Sequence, residues 1–307
     1  MPALPRRAAY SLLEVLIVIG LLAVLAGLLF PATLIARDAA AKIGCANNLR
    51  QIGLAAQLYH DAEGRLPPGV GGPPGPGVAY PYLGWEARLL PYLEQDALWQ
   101  NTIDAFRADP FPFHNPPHLG LSRPLAVLGC PSDGAVDVPQ GYQGKFGDLH
   151  VALTSYLGNA GTSATTFDGV LYLNSSVKYT YIKDGTSNTI LAGERPPAPD
   201  FRFGWWYAGV GQRGLGSLDM VLGASEKNLL TGFTASASPY ADCPPGPYQF
   251  GPGSVTNPCD VFHYWSLHVG GANFVFADGS VHFINYSAGA LLPALATRAG
   301  GEVVQPP

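Results

Sequence analysis

Apolar residues run almost unbroken from Leu12 to Phe30, where fourteen of nineteen positions are Leu, Ile, Val or Phe and Glu14 alone carries charge. At about 1.5 Å per residue such a helix spans about 30 Å, the thickness of a bilayer core. Its strong apolar residues contribute about −4 to −8 kcal/mol to insertion, against at most about +3 kcal/mol for one carboxylate. A transmembrane helix is therefore predicted. Arg6 and Arg7 in front of it predict a cytoplasmic N-terminus and an exported body. Beyond Pro31 the pattern changes: Ala41, Cys45, Leu49, Ile52, Ala56 and Tyr59 recur at spacings of three and four and form one apolar stripe. The expectation is one continuous helix to about His60, half in the membrane and half packed on a globular head. Gly64 and Pro67-Pro68-Gly69 end it.

Past the Pro/Gly loop 69–77, Trp85–Leu90 and Pro91–Trp99 read as a bent helical pair, and 109–124 as an irregular stretch with His114 and His118 on the surface. Short strands then dominate: Leu125–Leu128, Thr154–Asn159, Gly169–Tyr172, Thr189–Ala192 and Trp205–Tyr207. The turn Asp184–Asn188 has oxygens suited to Ca²⁺ but lacks the carboxylate count of a dedicated loop. Near the C-terminus Asp278-Gly279 reads as a two-residue hairpin turn, pairing Phe276 with Val281 and Phe274 with Phe283. That register places Phe274, Phe276, Val281 and Phe283 on one face and Val275 with His282 on the other.

Composition supports a loop-rich body. Charged residues are 13% of the chain, and Gly and Pro number 38 and 29, which favours short strands and turns over a helical bundle. The fold class expected is α+β, a long N-terminal helix on an antiparallel β-rich head. Net charge is −5 and no Lys/Arg cluster follows Arg6-Arg7, so nucleic acid is not expected as a partner. Hydrolase, Walker and dinucleotide motifs are lacking, so no enzymatic activity is expected. Four cysteines in an exported body point to disulfides in one of three connectivities. Closing the Pro/Gly-rich loop favours Cys243–Cys259, which leaves Cys45 with Cys130; free thiols at Cys45 and Cys130 are the alternative. Trp205-Trp206-Tyr207 could stack on a sugar face, but a place in the core is the favoured reading.

The first thirty residues resemble the class III leader of type IV pilins and type II secretion pseudopilins. In that family a basic leader is cut on the cytoplasmic side, the new N-terminal residue is methylated, and Glu stands at the fifth mature position. Counting back from Glu14 places the cut between Ala9 and Tyr10, where the family has Gly and usually Phe. Pro31 falls where such pilins often carry a helix-kinking Pro. The resemblance implies a leader at 1–9, an assembly helix at 10–31 and an extracytoplasmic domain at 32–307. It also implies that Glu14 pairs with the N-terminal amine of a neighbouring subunit, since a carboxylate at this depth needs a partner.

Further blocks resemble the DUF1559 group of prepilin-type proteins. They are Cys45–Leu54, Leu66–Gly69, Leu90–Gln95, Cys130–Asp133, Tyr156–Asn159, Asp184–Thr189 and Gly270–Asn273, with His268 followed by nine residues and Asp278-Gly279. His268 and Asp278 are candidates for an orienting pair, although a structural His268 bonded to its own loop is favoured. Similarity to calcium-binding pseudopilins marks Asp260 and Asp278 as Ca²⁺ candidates; no other cofactor is expected. The function implied is a non-enzymatic pseudopilin-like subunit of the inner membrane. Its partners would be the prepilin peptidase, other pilin or pseudopilin subunits and the inner-membrane assembly platform. The alternative is a membrane-anchored extracytoplasmic binder of carbohydrate or metal.

Overall fold

The computed structural model describes residues 11–144, 146–231, 239–302 and 304; inside the first helix the side chains of positions 28, 31, 32, 34 and 35 fall outside that description. The chain forms two compact units, residues 1–41 and 42–307. The first helix, α1, spans Leu12–Glu63 and stays helical across position 31, so Pro31 does not melt it. In the first unit the described large apolar side chains between Leu12 and Phe30 are exposed. Among the described residues no helix is long and apolar enough to cross a membrane.

In the second unit the apolar stripe of α1 is buried. Cys45, Leu49, Ile52 and Ala56 are fully covered and Tyr59 nearly so, as three-and-four spacing requires of a helix face against a core. Gly64, with φ of +70°, ends the helix and donates its N–H to His60 O at 2.7 Å. The next two helices, α2 (Trp85–Arg88) and α3 (Asp96–Ala108), are separated by a 3₁₀ turn at Leu90–Leu93.

Among the described residues nine strands follow: β1 (Gln140–Gly144), β2 (Gly147–Val151), β3 (Tyr156–Gly161), β4 (Ile190–Glu194), β5 (Val221–Gly223), β6 (Ser225–Glu226), β7 (Tyr248–Gln249), β8 (Gly271–Phe276) and β9 (Val281–Asn285). The main sheet has the order β5-β3-β4-β8-β9 and is antiparallel except for β3 beside β5. β3, β4 and β8 are buried along their whole length because both sheet faces are covered. Successive residues alternate between two cores: Tyr156, Leu191, Val221 and Val275 join the α1 stripe, while Leu157, Ile190, Leu222 and Phe274 pack on the far side. The protein is thus α+β, with a largely antiparallel sheet.

The β8–β9 hairpin differs from the sequence expectation by one residue. Val275 pairs with Val281 and Phe274 with His282. Gly279, with φ of +82°, donates its N–H to Phe276 O at 2.9 Å, and Phe276 donates to Ser280 O at 2.8 Å. The loop is therefore Ala277-Asp278-Gly279, a three-residue hairpin with glycine in the left-handed position. The Asp278 carboxylate selects it by accepting from the Ser280 N–H (2.9 Å) and hydroxyl (2.7 Å). A slip of one residue exchanges the faces: Val275 and Val281 turn toward α1, while Phe274 and Phe276 enter the far core.

Three predicted strands are not strands. Ala126–Leu128 is a 3₁₀ turn, 169–172 is irregular, and Trp205 makes only an isolated bridge to Leu153. In each, neighbouring chain supplies side-chain burial without a continuous ladder. His118 is not on the surface. It is fully buried, with Nδ1 2.9 Å from the Tyr207 hydroxyl and Nε2 2.8 Å from Asp109 O, and burial lowers its pKa.

Glu86 makes the fold sensitive to pH. It is fully buried on α2, and burial holds its carboxyl well above the ordinary value of 4.5 despite a 2.8 Å hydrogen bond donated by Thr154. A carboxyl with a raised folded pKa binds more protons in the folded chain than in the unfolded one. Its stabilising protonation is complete below the unfolded value and is lost as pH rises through the folded value. Glu86→Gln is expected to flatten that decline, read as a thermal midpoint that falls less than wild type between about pH 4.5 and neutrality. Parallel curves for the two proteins would show that Glu86 is ionised in the fold.

Candidate functional site

At the start of α1, Ser11 and Glu14 form a reciprocal cap. The Ser11 N–H donates to Glu14 Oε2 at 2.8 Å, and the Glu14 N–H donates to Ser11 Oγ at 3.2 Å. This is the Ser-x-x-Glu capping box, which satisfies two of the otherwise open donors of a helix start. The helix dipole favours the carboxylate at this end. Glu14 therefore has a partner within its own chain, a solution the sequence reading does not weigh. Ala9 and Tyr10 lie outside the described residues.

A second site lies in the head, where four sequence blocks meet on the α1 side of the sheet. Cys45 of α1 and Cys130, which follows the 3₁₀ turn at Ala126–Leu128, are joined by a disulfide. The His268 Nε2 lies 3.2 Å from Cys45 Sγ, 3.5 Å from Cys130 Sγ and 3.5 Å from Glu194 Oε1. Glu194, the last residue of β4, accepts from the Asn273 N–H at 2.6 Å and from its amide Nδ2 at 2.9 Å. Ser155 Oγ accepts from the Cys130 N–H at 3.0 Å and donates to Asp133 at 3.2 Å. Burial raises the Asp133 carboxyl above its ordinary range. Every member of this group is buried.

His268 and Asp278 do not form a pair. His268 sits at the cystine, its backbone N–H donating to Ser266 Oγ at 3.0 Å, and Ser266 Oγ donates in turn to Gly271 O at 2.7 Å, while Asp278 caps the exposed hairpin turn. Their shared role is to hold β8 and β9 against α1 at two points. His268 meets the helix at Cys45. At the other end, Gln57 donates from Nε2 to Asp278 O, and a Cβ on Gly53 would stand 2.7 Å from a Val275 methyl and 3.1 Å from Gly279 Cα. Cys45, Gly53 and Gln57 lie eight and four residues apart on one helix face.

The calcium candidates are already engaged. Asp260 accepts from the Ser254 N–H (2.7 Å) and Asn257 Nδ2 (2.9 Å) and faces His263 Nε2 at 3.2 Å. Both oxygens of Asp184 in the other candidate turn accept from Gly300 and Gly301 N–H groups. Among the described residues, Cys45, Cys130, Glu194 and His268 are the group of ligand-type side chains close enough to share an ion. The sequence reading names three of these four and misses Glu194, whose signal is a charge, followed by Arg195, ending the apolar strand Ile190–Gly193. The remaining cysteines, Cys243 and Cys259, are joined by a second disulfide.

A cleft of about 780 Å³ opens elsewhere on the head, lined by Tyr82, Tyr142, Phe146, Arg202, Trp205 and Tyr240 among others. Trp206 and Tyr207 are wholly buried and offer no face to a ligand.

A helix laid on a mostly antiparallel sheet, pinned by a buried cystine, histidine and carboxylate, defines the class as an α+β protein. The family described as a protein of unknown function, DUF1559, matches residues 35–290, and the chain belongs to it. No curated protein and no solved structure matches the chain.

Proposed function

We propose that the protein is a non-enzymatic, pseudopilin-like subunit, held by α1 in the inner membrane with its head outside the cytoplasm. The prepilin peptidase would cut between Ala9 and Tyr10, and the mature chain would join other pilin or pseudopilin subunits at the inner-membrane assembly platform. The observation that carries this reading is Glu14: a single carboxylate at the third position of a helix whose described apolar side chains are exposed for the next four turns. Exposed Leu, Ile and Val in that number need a bilayer or neighbouring helices to cover them. Removal of residues 1–9 would leave the Tyr10 amine beside the Ser11 N–H that Glu14 already binds. The same carboxylate can then serve its own helix or the amine of a neighbour.

Mass spectrometry of the membrane-extracted protein tests processing. A chain beginning at N-methylated Tyr10 is expected, and intact residues 1–9 would sink the reading. Glu14→Gln separates capping from assembly, because Gln still completes a capping box but carries no charge. Filament incorporation is expected to fall by at least about tenfold with membrane insertion unchanged, consistent with loss of about 1.4 kcal/mol or more of pairing. Normal incorporation would reduce Glu14 to a helix cap.

The aromatic cleft supports a second reading, an anchored carbohydrate binder, since Tyr82, Tyr142 and Phe146 are half-exposed rings around one cavity. Saturable glycan binding lost in Tyr142→Ala, together with an uncut leader, would favour it.

A further inference from the structure

We infer that Cys45, Cys130, His268 and Glu194 form a Zn²⁺ site when the Cys45–Cys130 disulfide is reduced, the disulfide being the metal-free alternative of the same four side chains. One ligand atom from each residue lies within 4.8 Å of all the others. Four-coordinate zinc holds Cys sulfur at about 2.3 Å and His nitrogen or carboxylate oxygen at about 2.0–2.2 Å, which places neighbouring ligand atoms about 3.3–3.8 Å apart. His268 Nε2 is 3.2 Å from Cys45 Sγ, 3.5 Å from Cys130 Sγ and 3.5 Å from Glu194 Oε1, so three edges of a tetrahedron are already close to size. The two sulfurs must also separate, which a reduced pair does by side-chain rotation, and both already lie within 4.8 Å of the Glu194 carboxylate.

The donor set also fits. Two thiolates, one imidazole and one carboxylate, all buried, form a closed set of the kind that selects zinc over hard cations such as Ca²⁺ or Mg²⁺. Supporting groups are in place: Asn273 holds the Glu194 carboxylate through two hydrogen bonds, and Ser266 holds the His268 backbone. A crevice of about 10 Å³, lined by Cys130, Glu194, Asp133, Ser155 and Ser266, borders the group.

The chemistry balances with a dithiol reductant. The reductant passes two electrons and two protons to the disulfide, giving thiols at Cys45 and Cys130 and a disulfide in the reductant. Zn²⁺ then forms two Zn–S bonds and releases the two thiol protons. A disulfide oxidant reverses this: it takes two electrons from the two thiolates and two protons from water, becoming a dithiol, while Cys45 and Cys130 rejoin and the ion leaves. A chain that meets zinc before it is oxidised would fold around the metal; an oxidised chain would hold the same elements through the S–S bond.

The test uses the full chain in detergent, carrying C243S and C259S so that a single cysteine pair remains. After reduction with a phosphine, Co²⁺ and Zn²⁺ are titrated as the probes. One Co²⁺ per chain is expected, with thiolate-to-cobalt charge-transfer bands, displaced by Zn²⁺ and absent from the oxidised protein. His268→Ala is expected to weaken Zn²⁺ binding by about 100-fold. A reduced chain that keeps its near-UV circular dichroism yet takes up no Co²⁺ overturns the inference. So does equal uptake by a chain that also carries C45S and C130S. If reduction alone abolishes the near-UV signal, recovery with one equivalent of Zn²⁺ supports the site, and failure to recover overturns it. The result is independent of whether the protein assembles into a filament.

Discussion

Replacing both Cys45 and Cys130 with alanine is expected to lower the unfolding free energy by about 4–5 kcal/mol. The bond joins residues 85 apart, so it removes a large share of the chain entropy of the unfolded state. The Cys243–Cys259 bond spans 16 residues, and its removal is expected to cost about 3 kcal/mol. The two losses also differ in kind. Without the first bond, the long helix keeps its apolar stripe but loses its covalent tie to the sheet side, and His268 loses the sulfurs it rests on. Urea unfolding of the two double variants, followed by tryptophan fluorescence, measures both. A larger loss for the 243–259 pair would refute the ranking by loop length.

Glu194→Ala should be nearly as damaging, by about 3–5 kcal/mol. The carboxylate is the acceptor for two buried donors, the backbone N–H and the side-chain amide of Asn273. Each buried donor left without a partner costs about 1–3 kcal/mol, and the vacated volume adds to that. Glu194→Gln keeps one acceptor oxygen and should cost less than half as much. The hydrogen-exchange rate of the Asn273 amide is the specific readout. It should rise in Glu194→Ala well before global unfolding, and an unchanged rate would mean that another group accepts from it.

Much of the helix was legible from its residues. A run of apolar side chains at 12–30 and a stripe at spacings of three and four can be read directly, because a helix places those positions on one face whatever it meets. Glu14 was legible as a carboxylate in need of a partner, but not as one bonded to Ser11, since the long apolar run drew the reading toward the bilayer. The site in the head was legible only in pieces. Cys45, Cys130 and His268 stand out by type, yet they are separated by 85 and 138 residues, and nothing local says that they meet. Glu194 was missed because its sole local mark is a charge at the end of an apolar strand. The hairpin shows how a small local choice propagates: Asp278 takes the Ser280 N–H, the loop becomes three residues, and every side chain of β9 pairs one position away from the expectation. His118 shows the same limit at a loop, where burial beneath Tyr207 depends on chain almost ninety residues away.

By itself, then, the amino-acid sequence determined the long helix and its two faces, the α+β class and the family blocks, since each rests on periodicity or on residue type within a short window. Tertiary structure alone decided the register of the hairpin, the burial of His118, and the meeting of Cys45, Cys130, His268 and Glu194. The physical reason is common to all three. Each is set by which distant backbone supplies the missing hydrogen-bond partner or covers the exposed face, and that is a property of the closed sheet rather than of any one segment.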